Sequence, residues 1–266
     1  LPISRADKKL KTDKRDAKAL AEALRIGAFR AANRKSESSR KVRAAVLARH
    51  ALVASRTRLI NQVRALCERE GIIVKRCAAE AFARRFEELH MEAWLFEAVA
   101  GVVIEIECLN EMIATQDALL KSMLDADPIA QRFEQVRGIG ILTALMFKSV
   151  VEDPTRFESA RHVASYLGLV PRERSSGEKR HLGGITKTGD TLTRSYLLQA
   201  AWSIMKNSAP SSPMKEWALR IAERRGKQKA ATALARKLSR VLFALWRDGT
   251  SFTQPDSGAA AVEDVA

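Results

Sequence analysis

One segment combines serines, glycines and a surplus of cations: "PRERSSGEKRHLGGITKTGD", from Pro171 to Asp190. The glycines let the backbone approach a ligand closely, and its cations and the one just beyond suit a phosphodiester: Arg172, Arg174, Lys179, Arg180, Lys187 and Arg194. A serine hydroxyl attacks phosphorus only with positive charge or a metal nearby and a route for its proton. His181 is a candidate base, although a lone loop histidine is more often merely exposed. A solvated connecting loop remains the alternative.

A second candidate is the pair Asp13 and Asp16 in "KTDKRDA". Their i, i+3 spacing places both carboxylates on one face of a helix, where they could share a hard divalent cation. Lysines and arginines surround them, so an exposed helix of mixed charge is the alternative, and spacing alone favours it.

A third candidate is "VRGIG", which precedes the helical pattern "ILTALMF". Gly138 and Gly140 allow a tight turn of the helix-hairpin-helix kind, with amides of the next helix facing a phosphate. A tight interhelical turn without any ligand fits equally well, but the basic surroundings favour contact with a DNA backbone. The cation-rich run over residues 215–240 is either a solvated face or a surface that follows a nucleic-acid backbone.

The composition supports a polyanionic partner. The 266 residues include 46 Lys and Arg against 31 Asp and Glu, a net charge of +15. Nucleic acid or an anionic membrane surface would match this charge. The most apolar segment, "WLFEAVAGVVIEIECLNEMI", contains four glutamates, so we expect no transmembrane helix. Without a signal-peptide core or a CxxC pair, we expect a cytoplasmic, reduced protein without a zinc site.

The elements that carry these residues are predicted to be helices. The first runs from Asp13 towards Gly27. A second, from Val42 to about Gly71, has apolar residues at seven-residue spacing, and a third pattern runs from about Ala79 to Leu124. We expect these two to form a coiled-coil-like hairpin with each other or with a partner chain.

A break at Asp127-Pro128 precedes a compact helical unit. Within this unit, the helix that begins near Thr191 has five residues predicted to point inward: Leu192, Tyr196, Leu197, Ala200 and Ile204. Another helix ends at Gly249. No strand pattern matches these helices in strength, so the fold class predicted is mainly α.

Together these segments resemble the insertion-sequence one-ten family of transposases, which pairs a RuvC-like DEDD domain with a serine-bearing C-terminal domain. The resemblance lies in "KTDKRDAKALAEALR", "VRGIGILTALMF", "DPTRFESARHVASYLGLVPRERSSGEKRHLGGITKTGDTLTR" and "ARKLSRVLFALWRDG". It implies the C-terminal part of a RuvC-like domain over 1–70, a helical linker or coiled coil over 71–127, and the serine-bearing transposase domain over 128–250. We expect residues 251–266 to form a disordered tail.

The resemblance also implies roles for particular residues. Asp13 and Asp16 correspond to the third and fourth acids of the DEDD set, which bind Mg²⁺. Ser176, immediately before Gly177, corresponds to the nucleophile that forms a covalent phosphoserine link to DNA, and Ser175 is the neighbour to test. The family works as an oligomer, a dimer or tetramer in which one subunit's RuvC-like site completes another's serine site. A structured guide RNA reads sequence while the protein reads backbone and shape.

The family's first Asp and its Glu lie upstream of "KTDKRDA", and 12 residues precede Asp13 here. We therefore expect this chain to hold only part of the metal site, as a truncated remnant or an incomplete fragment. Two other functions stay open. One is a non-catalytic nucleic-acid-binding remnant. The other is an interaction protein that uses the heptad-like helices, which the net charge disfavours.

Overall fold

The computed structural model of the chain describes residues 12–28, 33–176, 179–206 and 212–252. It contains two compact units, Leu1–Lys35 and Ser36–Ala266. The tail predicted over 251–266 lies outside the described residues from position 253 onward. Within the described part of the chain, no helix combines the length and apolar character needed to cross a lipid bilayer.

The first unit contains helix α1, Asp13–Arg25, which confirms the helix predicted there. The helix begins at the N-cap Thr12, whose hydroxyl oxygen accepts a hydrogen bond from the amide of Arg15 at 3.4 Å. It ends before Gly27, which has a φ of 65° that favours glycine. Leu20 and Leu24, on its apolar side, are exposed.

The second unit begins with an arm of two long helices, α2 (Glu37–Arg69) and α4 (Ala93–Asp125). Arg49 of α2 lies opposite Asp117, and Arg56, seven residues further on, lies opposite Asn110, seven residues back. The two helices are therefore antiparallel, and they contact each other along their length. This confirms the predicted helical hairpin within one chain.

The third predicted helix is not continuous, because a short helix α3, Phe82–Glu87, precedes α4. Phe82 and Phe86 of α3 are buried with Ile60 and Val63 of α2, which closes a small core at one end of the arm. Apolar spacing continued across the break at residues 88–92, and no glycine or proline marks it. The period alone therefore predicted one helix where there are two.

The remaining helices form a compact body. They are α5 (Pro128–Glu134), α6 (Ile141–Val151), α7 (Ala160–Tyr166), α8 (Thr191–Lys206), α9 (Pro213–Arg225) and α10 (Lys227–Arg247). In the middle of α6, four consecutive side chains from Ala144 to Phe147 are buried, so this helix lies at the centre of the core. The predicted inward residues of α8 are buried, apart from Leu192, which is half-buried. Val46 and Leu124 from the arm also join this core, which anchors the arm on the body.

Between α7 and α8 the chain forms an antiparallel β-hairpin of β1 (Pro171–Ser176) and β2 (Lys179–Ile185). This is the one sheet among the described residues, and the fold is mainly α, as predicted. The segment predicted as a connecting loop is thus a hairpin. Its sequence shows no alternation of apolar residues, and the side chains described over 171–173 and 181–184 do not pack on the core.

Candidate functional site

The two serines lie at the end of the hairpin where β1 passes into β2. Ser176 is the last residue of β1, and its Cα pairs with that of Lys179, the first residue of β2. Ser175 pairs with Arg180 in the same register. The side chains of residues 174–180 lie outside the described part of the structure, as does Gly177. Backbone register alone therefore places both serines, together with Arg174, Lys179 and Arg180.

The described side chains of the hairpin are exposed, apart from Ile185 at the end of β2, which is half-buried. Residues 171–173 on β1 and 181–184 on β2 all lie in solvent, and Leu182 keeps 55% of its surface exposed. A two-stranded hairpin with neither face on a core is only marginally stable by itself. Its direction must therefore be fixed where it joins the body.

The structure brings one predicted phosphate contact beside the candidate base. Arg172 and His181 line a common cleft on the hairpin together with Gly183. Arg172 stands at a bulge, where it is the single residue opposite Gly183 and Gly184 on β2. Bulges commonly re-aim the side chains of neighbouring strand residues. Lys187 lies apart from this cleft, beyond the end of β2, with a φ of 57° that is unusual for a residue other than glycine.

Arg194 is not available to a phosphate, and its inclusion among the cations of the segment was wrong. Its side chain is buried in the first turns of α8, with 6% of the residue exposed. Its Nη1 donates to the carbonyl oxygens of Leu167, at 3.1 Å, and Thr188, at 2.8 Å. Leu167 precedes β1 and Thr188 follows β2, so Arg194 bonds the chain both before and after the hairpin. We call the flanking segments, residues 167–170 and 186–190, the hairpin root.

Asp190 closes the root at the N-terminus of α8. Its Oδ1 accepts hydrogen bonds from the amide and the hydroxyl of Thr193, each at 2.8 Å, and its Oδ2 pairs with Arg43 Nη2 of the arm at 2.8 Å. Burial opposes ionisation of Asp190, but the bonds from Thr193 and Arg43 outweigh it and hold the pKa of the carboxyl below its usual value.

Two positions of this region require glycine for steric reasons. Gly168, with a φ of 69°, and Gly189, with a φ of 77°, let α7 and the segment after β2 approach backbone to backbone. A Cβ at Gly168 would overlap the carbonyl oxygen of Thr188, and one at Gly189 would overlap that of Tyr166. Sequence reasoning did not single out Gly168; its place in "YLGLV", just after a helix, was the available signal.

The "GIG" turn joins α5 to α6, and its two glycines serve different ends. Gly138 has a φ of 84°, and a Cβ there would come within 2.6 Å of Ile204 Cγ1 on α8, so packing requires this glycine. Gly140 is the N-cap of α6, and a Cβ there would meet no atom within 4 Å. An open cleft beside the turn is also lined by Arg49, Asp117 and Glu134. Because Arg49 is paired with Asp117, this cleft attracts anions weakly.

Asp13 and Asp16 both lie in the first turn of α1, where carboxylates also stabilise the positive end of the helix dipole. Asp13 is exposed and Asp16 is half-buried. Among the described residues, no group of three or more histidine, cysteine or acidic side chains is placed to hold a metal ion. The pair is therefore at most part of a ligand set within this part of the chain.

The basic run divides into two kinds of cation. Around the corner between α9 and α10 the cations are exposed: Arg220, Arg224, Arg225, Lys227 and Lys229. Further along α10, Lys237 lies over the Trp217 ring, 4.5 Å from its centroid. Burial, reinforced by repulsion from Arg240 and Arg161, lowers the pKa of Arg236. The corner therefore holds most of the accessible cations of this surface, and Arg240 further along α10 is also exposed.

These features define a basic helical protein whose candidate chemistry lies on a projecting hairpin. Comparison with known proteins gives the family. Residues 130–215, which include the hairpin and its root, match the family described as transposase IS116/IS110/IS902. Residues 3–69 match the DEDD transposase family of IS110 elements.

Individual relatives agree with these matches. The chain is 33% identical to the transposase for insertion sequence element IS1111A of Coxiella burnetii, over 88% of this chain and 66% of the relative. It is 31% identical to a probable family 20 transposase of Pseudomonas aeruginosa, over 88% of this chain and 72% of the relative. For the IS1328 transposase of Yersinia enterocolitica the identity is 31%, over 92% and 74%.

The chain therefore belongs to the IS110/IS116 family of insertion-sequence transposases. It spans about two thirds of the length of the Coxiella relative, 66%.

Proposed function

We propose that this chain cuts and rejoins DNA through Ser176 as part of an insertion-sequence transposase. One observation carries the proposal: the serine pair lies where β1 passes into β2, at the end of the hairpin away from the body, within the segment that matches the transposase family. A nucleophile for a duplex as bulky as DNA must be accessible, and a projecting hairpin satisfies that requirement.

The proposed step is a transesterification. Ser176 Oγ attacks a DNA phosphorus atom, an O–P bond forms as the hydroxyl loses its proton, and one P–O bond to deoxyribose breaks. The released deoxyribose oxygen takes up a proton and leaves as a hydroxyl group. The phosphodiester count is conserved in the serine link, so the reverse attack rejoins DNA without an external energy source. Cations nearby stabilise the charge that develops on the phosphoryl oxygens.

Strand register favours Ser176 over Ser175. Successive residues of a strand belong to opposite faces, so Ser176 shares a face with Arg174 and, across the ladder, with Lys179 and His181. On the other face, the strand neighbours of Ser175 are one cation, Arg180, together with Glu173 and Leu182. The face of Ser176 thus carries two cations and an imidazole that can accept the serine proton.

DNA would be held by the hairpin cations Arg172, Arg174, Lys179, Arg180 and Lys187, supported by the net charge of +15. Backbone amides at the Gly138–Gly140 turn are a further proposed contact, but the two acids beside that turn make it the weaker one. Family membership supports two more partners: a structured guide RNA, and further subunits in a dimer or tetramer.

Asp13 and Asp16 would contribute two oxygen ligands to a Mg²⁺ site. Carboxylates are the ligands this hard cation prefers, and the half-exposed position on α1 leaves them accessible, so the pair fits part of such a site. When bound, the metal would supply positive charge to a phosphoryl oxygen. The two aspartates would hold and orient it, together with ligands from outside the described residues.

The test is capture of the covalent protein–DNA adduct by the whole gene product, with insertion-sequence ends and any guide RNA supplied. Ser176→Ala is expected to abolish the adduct, and the matched control Ser175→Ala to keep it. An adduct at the wild-type level in Ser176→Ala would refute Ser176 as nucleophile. Loss of the adduct in the Ser175 variant alone would move the assignment by one residue.

A second candidate is a nucleic-acid-binding protein without strand chemistry. The observation that favours it is the incomplete ligand set around Asp13 and Asp16 within the described residues. It predicts DNA binding whose affinity falls steeply with salt and no adduct under any condition. Adduct formation by the wild-type protein would exclude it.

A further inference from the structure

The structure must fix the direction of the hairpin without help from its exposed side chains over 171–173 and 181–184. Attack on phosphorus requires the nucleophile to be held close to its target and in line, and a misplacement of about 1 Å can cost roughly a hundredfold in rate. The exposed side chains described on the hairpin supply little of that precision. Whatever fixes its direction must act at the root.

At the root, strand pairing continues beyond the two strands. The amide of Thr186 donates to the carbonyl of Val170 at 2.9 Å, and that of Lys187 donates to the carbonyl of Gly168 at 3.2 Å. Gly168 and Gly189 let the flanking segments come this close. The root therefore extends the hairpin pairing towards the body, with residues 167–169 buried and residues 187–189 still exposed.

The side chain of Arg194 connects both segments of the root, the one before β1 and the one after β2, to α8. Arg194 Nη1 bonds the carbonyl of Leu167, which precedes β1, and the carbonyl of Thr188, which follows β2. Its Nη2 lies 3.3 Å from the hydroxyl oxygen of Thr191. A planar guanidinium with fixed donor directions sets the relative position of its acceptors, which a lysine ammonium does not.

The root is also tied to the arm. Asp190 caps α8 through Thr193 and pairs with Arg43 of α2, both partly buried. Arg194 thus acts on a rigid base, since α8 is itself packed in the core by Leu197 and Ala201. Displacing the guanidinium would free the hairpin relative to a body that stays folded.

We propose that Arg194 is a positioning residue for strand transfer. By joining the carbonyls of Leu167 and Thr188, it fixes the direction of the hairpin and so the place of Ser176. The proposal rests on the proposed function of Ser176 for its catalytic consequence, while its structural part is independent of it. Because Arg194 is buried, its loss should slow the chemical step without weakening DNA binding.

The test compares Arg194→Gln and Arg194→Lys with Arg56→Gln. Arg56 is the matched control because it is also a buried arginine, 7% exposed, but is bonded to Asn110 in the arm. Three quantities are measured: the single-turnover rate of adduct formation, DNA affinity, and amide hydrogen exchange over residues 167–188. The last measurement needs no activity.

For Arg194→Gln we expect an adduct rate lower by roughly 10- to 100-fold, with DNA affinity within about threefold of wild type. Exchange over residues 167–188 should accelerate while that of α6 and α10 stays unchanged. Arg194→Lys should fall between Gln and wild type, because an ammonium group reaches one carbonyl well. Arg56→Gln should leave both the exchange of the root and the adduct rate unchanged.

Three results would overturn the proposal: an unchanged adduct rate in a folded Arg194→Gln protein, an equal loss of DNA affinity, or unchanged exchange at the root. If Arg194→Gln fails to fold, Arg194→Lys decides between the same outcomes. Absence of any Ser176-dependent adduct in wild type would refute the proposed function instead, and the exchange data would still decide whether Arg194 holds the hairpin.

Discussion

The hairpin and its root are adjacent in the chain, but they differ in how closely they pack against the body. The described side chains over 171–173 and 181–184 are exposed. At the root, by contrast, Gly168 and Gly189 have no room for a side chain, and Arg194 of α8 donates to carbonyls on both sides. On the proposed function, the hairpin would contact DNA, and its direction is fixed by Arg194, a buried residue that would not touch the DNA.

The sharpest way to break this comparison is to add one methyl group at the root. Gly189→Ala should destabilise the protein by about 3 kcal/mol or more, because the Cβ would overlap the Tyr166 carbonyl at a φ of 77°. The free energy of unfolding in urea measures the loss. Gly184→Ala on the hairpin is the control and should stay within about 0.5 kcal/mol of wild type, because its Cβ meets no atom within 4 Å. Equal effects at the two positions would contradict the distinction.

The same contrast holds inside the "GIG" turn. Gly138→Ala should cost about 2 kcal/mol, since its Cβ would press on Ile204 at a positive φ. Gly140→Ala should cost less than about 1 kcal/mol, mainly from a poorer N-cap. Thermal unfolding of the pair tests this. A larger loss at Gly140 would mean that the turn is shaped by something other than contact with α8.

Asp190→Asn probes the root by pH. At pH 7 we expect a loss of about 1–2 kcal/mol, from weaker hydrogen bonds to Thr193 and the lost ion pair with Arg43. Because the folded pKa lies below the unfolded value, the stabilisation is complete above about pH 4 and is lost as pH falls through the folded pKa.

The difference in unfolding free energy between wild type and Asp190→Asn should therefore shrink below about pH 4. Asp248→Asn is the control, since Asp248 bonds only its exposed neighbour Arg247 among the contacts described for it, and should change stability much less. A difference that stays constant down to low pH would contradict the role of the ionised carboxyl.

The smallest effect on stability is expected on the hairpin itself. Arg172→Gln and Leu182→Ala should each stay within about 0.5 kcal/mol of wild type in unfolding, because both residues are exposed. Arg172→Gln should nevertheless weaken DNA binding and reduce the slope of log affinity against log salt by about 1. An unchanged slope would remove Arg172 from the phosphate contacts.

Much of the helical fold could be predicted because its apolar residues recur at helical spacing. Tyr196, Leu197 and Ile204 were expected inward and are buried, and the antiparallel arm follows from its heptad-like pattern. The β-hairpin could not be predicted in this way. The side chains described over 171–173 and 181–184 are exposed, and strands that bury no apolar face leave no period of two in the sequence.

The candidate site, like the fold, could be predicted only in part. The serine pair and its cations were visible because they are clustered in one short segment. The role of Arg194 could not be predicted, because a guanidinium near other cations is interpreted as a ligand contact until its acceptors are known. Those acceptors are backbone carbonyls of Leu167 and Thr188, which carry no sequence signature.

The ion pair between Arg43 and Asp190 links the arm directly to the hairpin root. Helix α2 extends for 33 residues, roughly 50 Å, and Arg43 lies near the end that joins the body. A force applied at the far tip of such a stiff rod is felt at its base. Torque on the arm would be borne at its base by the packing of Val46 and Leu124 and by the contact between Arg43 and Asp190, so part of any movement of the arm would reach the hairpin root.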